Sequence, residues 1–109
     1  MTNTDITRTE VNGCITLERP LDIRDEKGRI VGGFASIKPR LAWALDGSLL
    51  PWDGTSYEVR IQATRNGKTY GASAPRTTYP SLQAAEAAAI KGLAEQAKRY
   101  ARKYAAVVK

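Results

Sequence analysis

The fold is decided by residues 57–74, which read YEVRIQATRNGKTYGASA. Asn66-Gly67 is the strongest short signal for a two-residue hairpin turn, and a turn of that length fixes the register of the strands beside it. In this register the apolar side chains share one face: Val59, Ile61, Ala63, Tyr70, Ala72 and Ala74. The side chains of Arg60, Gln62 and Thr64 point to the other face. The sequence therefore predicts an antiparallel hairpin with one apolar and one polar face.

A long helix follows this hairpin. Pro80-Ser81 is a start signal, because a serine hydroxyl can accept hydrogen bonds from the free amide groups of a first turn. Residues 82–108 contain no proline and are rich in good helix formers. At helical spacing one side of the segment is apolar, and it consists of Leu82, Ala89, Leu93, Ala97, Tyr100, Tyr104 and Val107. We expect this side to cover the apolar face of the sheet.

The residues before the hairpin predict further antiparallel strands. Asn12-Gly13 signals a turn that would pair Glu10 with Ile15. Residues 25–28 form a polar hairpin loop in which Gly28 suits the left-handed position. Gly32-Gly33 predicts a bend or a β-bulge.

Residues 34–45 alternate with a period of two, which is typical of a strand. One set of side chains is predicted to point into the core: Ile37, Leu41, Trp43 and Leu45. The other set points away and consists of Ser36, Lys38 and Arg40. The loop after residue 45 contains Trp52, which either caps one end of the core or is an exposed residue that binds a partner.

The expected fold is therefore α+β and comprises a single domain, residues 1–109. Residues 1–12 form a polar arm or edge strand. Residues 13–75 form an antiparallel sheet of about four to five strands, and residues 81–108 form one long helix packed across one face.

The composition limits the classes of function. The chain has 17 basic and 11 acidic residues and a net charge of +6, which favours a polyanionic partner. It has no histidine and one cysteine, so we expect no metal site and no cofactor, and nothing predicts an enzyme. No apolar run is long enough to span a membrane, and the first residues lack a secretory signal. Cys14 indicates a reducing, cytoplasmic setting and is expected to be a small buried side chain rather than a reactive thiol.

The polar face of the sheet is the first candidate for binding. A solvated face is the ordinary alternative for an antiparallel sheet. On the functional interpretation, Arg60 and Gln62 read base edges while lysines and arginines contact phosphates. The candidate nucleic-acid contacts are Lys38, Arg40, Arg60, Gln62, Thr64 and Lys68. The pattern places no exposed aromatic side chain on this face, which favours a duplex over a single strand.

Two other surfaces are candidates. Lys91, Lys98 and Arg102 align on the outer side of the helix, either as a solvated face or as a secondary basic patch. A protein-binding module or inhibitor, docking an acidic partner through the sheet, this helix or Trp52, is the alternative function. The protein is expected to be a monomer or a homodimer.

The run of residues 57–61, the turn 66–71 and the alanine-rich helix after Ser81 resemble a known arrangement. It is that of the three-stranded-sheet-plus-helix DNA-binding domains of phage integrases, in their arm-binding domain, and of plant ethylene-response proteins. In those families the sheet enters the major groove, so the resemblance implies DNA contacts by Arg60, Gln62, Thr64 and Lys68 and favours an origin in a phage or other mobile element. The same residues also resemble the second half of a double-stranded-RNA-binding domain, although Leu82-Gln83 stand where that family has a lysine pair.

Overall fold

The computed structural model describes residues 6–70 and 77–105. The elements in chain order are β1 (Thr7–Val11), β2 (Cys14–Arg24), β3 (Ile30–Pro39), β4 (Tyr57–Arg65), β5 (Lys68–Tyr70), β6 (Thr78–Tyr79) and α1 (Leu82–Ala105). The strands form one antiparallel sheet in the order β1-β2-β3-β4-β5, and β6 also pairs with β4. The predicted α+β architecture is confirmed, because the helix packs across one face of this sheet.

The β1–β2 hairpin has the predicted register. Asn12 and Gly13 both have positive φ angles, of 53° and 78°, as a two-residue primed turn requires. Glu10 lies opposite Ile15 and Arg8 lies opposite Leu17, so two charged side chains face the helix side of the sheet. Arg8 compensates for this placement, because its Nε donates to Glu86 Oε2 of α1 at 3.1 Å. That bond also explains why the acidic Glu86 lies within the apolar side of the helix.

The β2–β3 hairpin differs from the expectation at its glycine pair. β2 continues through Pro20, and its pairing with β3 is irregular between Pro20 and Ile23. Gly32-Gly33 forms no bulge, because β3 pairs in continuous register with β4 along its length. Glycine is required at both positions because neighbouring side chains leave no room for a Cβ atom. A Cβ at Gly33 would lie 2.9 Å from Leu93 Cδ2 and would collide with Gln96 Oε1, so α1 lies close against the sheet there.

The β4–β5 hairpin confirms the predicted turn and its pairing. Asn66 has a φ of 52° and Gly67 a φ of 84°. Ala63 lies opposite Tyr70. The turn is also tied to β3, because Asn66 Oδ1 accepts a hydrogen bond from Ile30 N at 3.0 Å. The predicted partners at residues 71–76 lie outside the described residues.

The helix begins as predicted. Ser81 Oγ accepts a hydrogen bond from Ala84 N at 3.1 Å, so Ser81 is the N-cap. The buried core between helix and sheet consists of Ile15, Leu17, Ala35, Ile37, Ala85, Ala89 and Leu93. Val59 and Ile61 pack against its margin, as the hairpin register predicts. Small residues on α1 let the helix lie close to the sheet. Gln96 is also buried, at 3% exposure, and its Nε2 donates to Gln62 O at 3.0 Å.

Candidate functional site

The face of the sheet opposite the helix brings together most of the predicted nucleic-acid contacts. Residues directly opposite in neighbouring strands share a face. Ser36 lies opposite Arg60, and Lys38 lies opposite Glu58, on the face away from Ile37 and the helix. We call this surface the open face. Among the residues predicted for it, the pairing places Lys38, Arg60, Gln62 and Thr64 there.

Glu58 changes the electrostatics of the open face. Its Oε2 lies 3.4 Å from Arg60 Nε and 3.8 Å from Lys38 Nζ, so one carboxylate partly neutralises both cations. Glu18, on the facing strand β2, adds a second negative charge to this face. Glu58 was not among the residues predicted for this face, although its two-residue spacing from Arg60 already places both on one side. The open face is therefore close to neutral rather than strongly basic.

An aromatic side chain also lies on the open face, contrary to the expectation that none does. Phe34 pairs with Glu18 on one side and with Gln62 on the other, and both partners belong to this face. Phe34 precedes Ser36 by two residues, so the alternation itself places the two side chains on one face. Thr64 lies there too but is only 5% exposed, packed against Gly32. Phe34 is half-buried, so this face carries an aromatic ring and does not favour a duplex over a single strand.

Three other residues differ in position from what the sequence predicts. Arg40 follows the end of β3, and its backbone N donates to Ser56 O at 2.9 Å. Lys68 lies opposite Arg65, whose side chain reaches Tyr104 of the helix, so the pairing places Lys68 on the helix side of the sheet. Cys14 is exposed, not buried as expected, because it pairs with Val11 at the start of β2, away from the core.

The outer side of α1 carries four exposed cations. Lys91, Lys98, Arg99 and Arg102 are exposed, and within residues 6–70 and 77–105 none of them forms an ion pair. We call these four residues the basic row. Glu95 is the acidic residue among them, so the row keeps a surplus of positive charge along about 16 Å of helix.

The segment between β3 and β4 is a structured projection, which we call the arm (residues 40–56). Ala44 N donates to Ser48 O at 2.8 Å and Leu50 N to Ala42 O at 2.9 Å, and Trp43 bridges to Leu49. Gly47, with a φ of 87°, closes a tight turn at the tip. The arm is therefore a short hairpin with defined side-chain directions.

The arm exposes large apolar side chains that the alternation had assigned to the core. Leu41 and Leu45 are exposed, and Trp43 is 69% exposed. The prediction was wrong because β3 ends at Pro39, opposite Tyr57. The first turn of the helix packs at that end of the sheet, so residues beyond Pro39 extend past the layer that would cover them.

Trp52 caps one end of the core, as the first of the two expected roles requires, and is also partly exposed. Its ring meets Tyr57 edge to face, with 5.1 Å between the ring centroids, and Tyr57 packs against the core. Its Nε1 donates to Ser56 O at 2.7 Å. The side chain nevertheless remains 37% exposed. Trp52 thus caps the end of the core and presents part of its ring at the base of the arm.

A buried carboxylate lies at the opposite end of the molecule. Asp25 Oδ2 is 2.9 Å from Arg29 Nε and 3.3 Å from Arg65 Nε. Burial alone would raise the pKa of Asp25, but hydrogen bonds from Arg29 and Lys27, and the charge of Arg29, hold it below its ordinary value. Arg65 in turn donates to Tyr104 Oη at 3.2 Å. This cluster closes the hairpin loop and the end of the helix, which is a structural role.

Other kinds of site leave no trace in the part of the chain that the structure describes. Residues 6–70 and 77–105 contain no group of three or more histidine, cysteine or acidic side chains placed to hold a metal ion. Nor do they contain a helix long and apolar enough to cross a membrane. Comparison of the chain with protein-family models, curated proteins and solved structures finds no match.

Proposed function

We propose that this chain is a small basic protein that binds duplex nucleic acid, DNA in preference to RNA, in the cytoplasm. The observation that supports the proposal is the basic row on the outer side of α1. Exposed cations without acidic partners attract phosphates and release the counterions condensed on them. The major groove of DNA admits an α-helix, and a cationic outer face would contact the phosphates at its margins.

On this proposal the main phosphate contacts are made by the helix rather than by the sheet. On the open face, Lys38 and Arg60 share Glu58, and Glu18 lies nearby. The basic row has a net positive charge and is exposed along its length. The two surfaces lie on opposite sides of a two-layer molecule, so one short duplex cannot contact both at once. Electrostatics favour the helix.

The experiment is a titration of a labelled random duplex at several salt concentrations. Four phosphate contacts predict that log K falls with log salt with a slope of about −3.6, and Lys98→Gln/Arg102→Gln should reduce the slope by about 1.8. Lys38→Gln/Arg60→Gln removes the same charge from the open face and is the matched control, for which we expect a smaller change. Duplex RNA of the same sequence tests the preference for DNA.

Two results would contradict duplex binding through the helix. If wild-type protein leaves duplex DNA and RNA unbound at low salt, nucleic-acid binding is excluded as the main role. If the open-face variant reduces the slope more than the helix variant does, the duplex is bound by the sheet, as the resemblance to the integrase domains implies.

A second candidate function is a protein-binding module, and the apolar arm is the observation that favours it. Large side chains held outward on a hydrogen-bonded hairpin are typical of docking elements rather than of phosphate contacts. A complex centred there should depend little on salt. Trp52→Ala should lose most of its affinity, and Lys98→Gln/Arg102→Gln should leave it unchanged.

A further inference from the structure

Arg19 is a half-buried arginine on the helix side of the sheet. It lies on β2 opposite Gly33, and an added Cβ at Gly33 would meet Leu93 and Gln96 of α1. The Nε of Arg19 is buried without a partner, and among the residues that the structure describes its side chain forms no hydrogen bond or ion pair. Only Nε is buried in this way, so the two Nη nitrogens reach solvent.

Stability does not account for an arginine at this position. A buried N–H group without a partner destabilises the fold by about as much as a lost hydrogen bond. Gln96 Oε1 is a buried acceptor on the same side of the sheet, but it has no partner either, so the two side chains are not bonded to each other. Because charges withdrawn from water are ordinarily paired, the guanidinium group calls for an anion from outside the chain.

Arg19 lies beside the helix, on the side that faces β1. Glu86 of α1 contacts Arg8 of β1, whereas Gly92 of α1 faces Ile61 of β4. We call the side of α1 at Glu86 the β1 flank and the side at Gly92 the β4 flank. Since β2 lies between β1 and β3 in the sheet, Arg19 belongs to the β1 flank.

Cations stand on both flanks of α1. Arg99, a member of the basic row, follows Gly92 by seven residues, or about two helical turns, and therefore lies on the β4 flank. On the β1 flank the helix itself contributes Ile90 and Ala97, which follow Glu86 by four and eleven residues and carry no charge. Arg19 of the sheet thus supplies the positive charge that the helix lacks on this flank.

We propose that Arg19 binds a backbone phosphate of duplex DNA, and that α1 lies in the major groove with one sugar–phosphate backbone along each flank. This inference rests on the proposed function and specifies how the duplex is bound. The major groove is about 12 Å wide and about 8.5 Å deep, and an α-helix with its side chains is about 10–12 Å across. A helix within the groove has phosphates beside it, where Arg19 and Arg99 lie.

The alternative arrangement, a helix lying across the backbone, would bring phosphates only to the outer side of α1 and would leave Arg19 without an anion. Binding in the groove also gives a reason for a preference for DNA. The major groove of duplex RNA is deep and too narrow for side chains to read, so it does not admit the helix.

The experiment is a fluorescence-anisotropy titration of a labelled random DNA duplex at several salt concentrations. Arg19 adds a fifth phosphate contact to the four of the basic row, so the slope of log K against log salt should be about −4.5 for wild type. Arg19→Met and Arg19→Gln should each reduce the slope by about 0.9, whereas Arg19→Lys keeps the charge and should keep the slope.

The matched control is Arg24→Met. This substitution removes the same charge from the open face of the same strand, since neighbouring Ile23 lies opposite the buried Val31. It should leave the slope nearly unchanged.

Two further measurements separate binding from folding and DNA from RNA. In urea denaturation, Arg19→Met should have a midpoint at or above that of wild type, because the variant no longer buries an N–H group without a partner. On duplex RNA of the same sequence, Arg19→Met should leave the slope unchanged.

The outcomes distinguish this inference from the proposed function. If Arg19→Met leaves the DNA slope unchanged while Lys98→Gln/Arg102→Gln reduces it, duplex binding stands and the role of Arg19 is overturned. A lower urea midpoint with an unchanged DNA slope would identify Arg19 as a structural residue. Equal losses of slope on DNA and RNA would overturn binding in the major groove. A wild-type protein that binds no duplex removes the proposed function and this inference together.

Discussion

Gly33→Ala tests the close approach between the helix and the sheet. Gly33 lies in the middle of β3 on the side that faces α1. An added methyl group would lie 2.9 Å from Leu93 Cδ2 and would collide with Gln96 Oε1. Both neighbours are buried, at 1% and 3% exposure, so neither can swing into solvent. The methyl group must therefore displace Gln96 or push the helix away from the sheet.

Three contributions determine how much Gly33→Ala changes the free energy of unfolding. Overpacking of a filled core costs about 1–3 kcal/mol. Moving Gln96 breaks its bond to Gln62 O, which contributes about 0.5–1.5 kcal/mol. Replacing glycine stabilises by about 0.4–1 kcal/mol, because the unfolded chain loses conformational freedom. We expect a net loss of about 2 kcal/mol in the free energy of unfolding, or about 8–15 °C in Tm.

Urea denaturation of four proteins measures the effect: wild type, Gly33→Ala, Gln96→Ala and the double variant. Truncation of Gln96 makes room for the methyl group, so the double variant should be more stable than additivity predicts by about 1 kcal/mol. Ser36→Ala adds no atoms on the opposite face of the same strand and should change stability by less than about 0.5 kcal/mol. A loss below about 0.5 kcal/mol for Gly33→Ala, or an additive cycle, would refute the close approach.

Three further predictions concern stability. Ser81→Ala removes the N-cap and should cost about 1 kcal/mol in urea denaturation, whereas Ser81→Asp should restore the cap. Gly92→Ala places a Cβ 3.1 Å from Ile61 Cδ1, so the gain in helix propensity should be offset and the change should stay below about 1 kcal/mol in either direction. The folded pKa of Asp25 is lowered, so its stabilisation is present above the ordinary aspartate pKa of about 3.9 and is lost as the pH falls through the lower, folded value. Thermal denaturation at acidic pH should therefore destabilise wild type progressively, whereas Asp25→Asn should start with a lower Tm at neutral pH and vary less with pH in that window.

Sequence patterns predicted the pairs set by local turn chemistry. Asn66-Gly67 admits few turn geometries, and the hydrophobic alternation of β4 agrees with the register that the turn imposes. The same logic held at Asn12-Gly13, even though it places Arg8 opposite Leu17. Ser81 was also identifiable, because capping depends on residues a few positions apart.

Contacts that depend on distant residues were not accessible from the sequence. Gln96 is polar by composition, and its burial follows from a backbone carbonyl that a different element supplies. Gly32-Gly33 signals backbone freedom in a sequence, yet here the space is filled by side chains of β4 and α1. Leu41 and Trp43 fit a strand pattern, but a period of two does not reveal where the covering layer ends.

The candidate surfaces also combine features that a local sequence pattern predicts with features that it did not reveal. The alternation placed Arg60 and Gln62 on the face away from the helix, in agreement with the observed register. It could also have identified Glu58, two residues before Arg60, as the negative charge that partly neutralises the cations of this face. The exposure of the basic row followed from helical spacing, because cations opposite an apolar side remain in solvent.

The residues that this chain exposes at the tip of the arm are distinct from the residues that stabilise its fold. Pro39 and Tyr57 are neighbours across the sheet, so the 17 residues between them begin and end at nearly the same point. Lengthening such a connection destabilises the fold only slightly, because the entropic cost of closing a loop grows only with the logarithm of its length. Mutation can therefore remodel the tip freely while the framework beneath it stays fixed. A lineage carrying this architecture could change the surface that the arm exposes repeatedly without having to evolve a new fold.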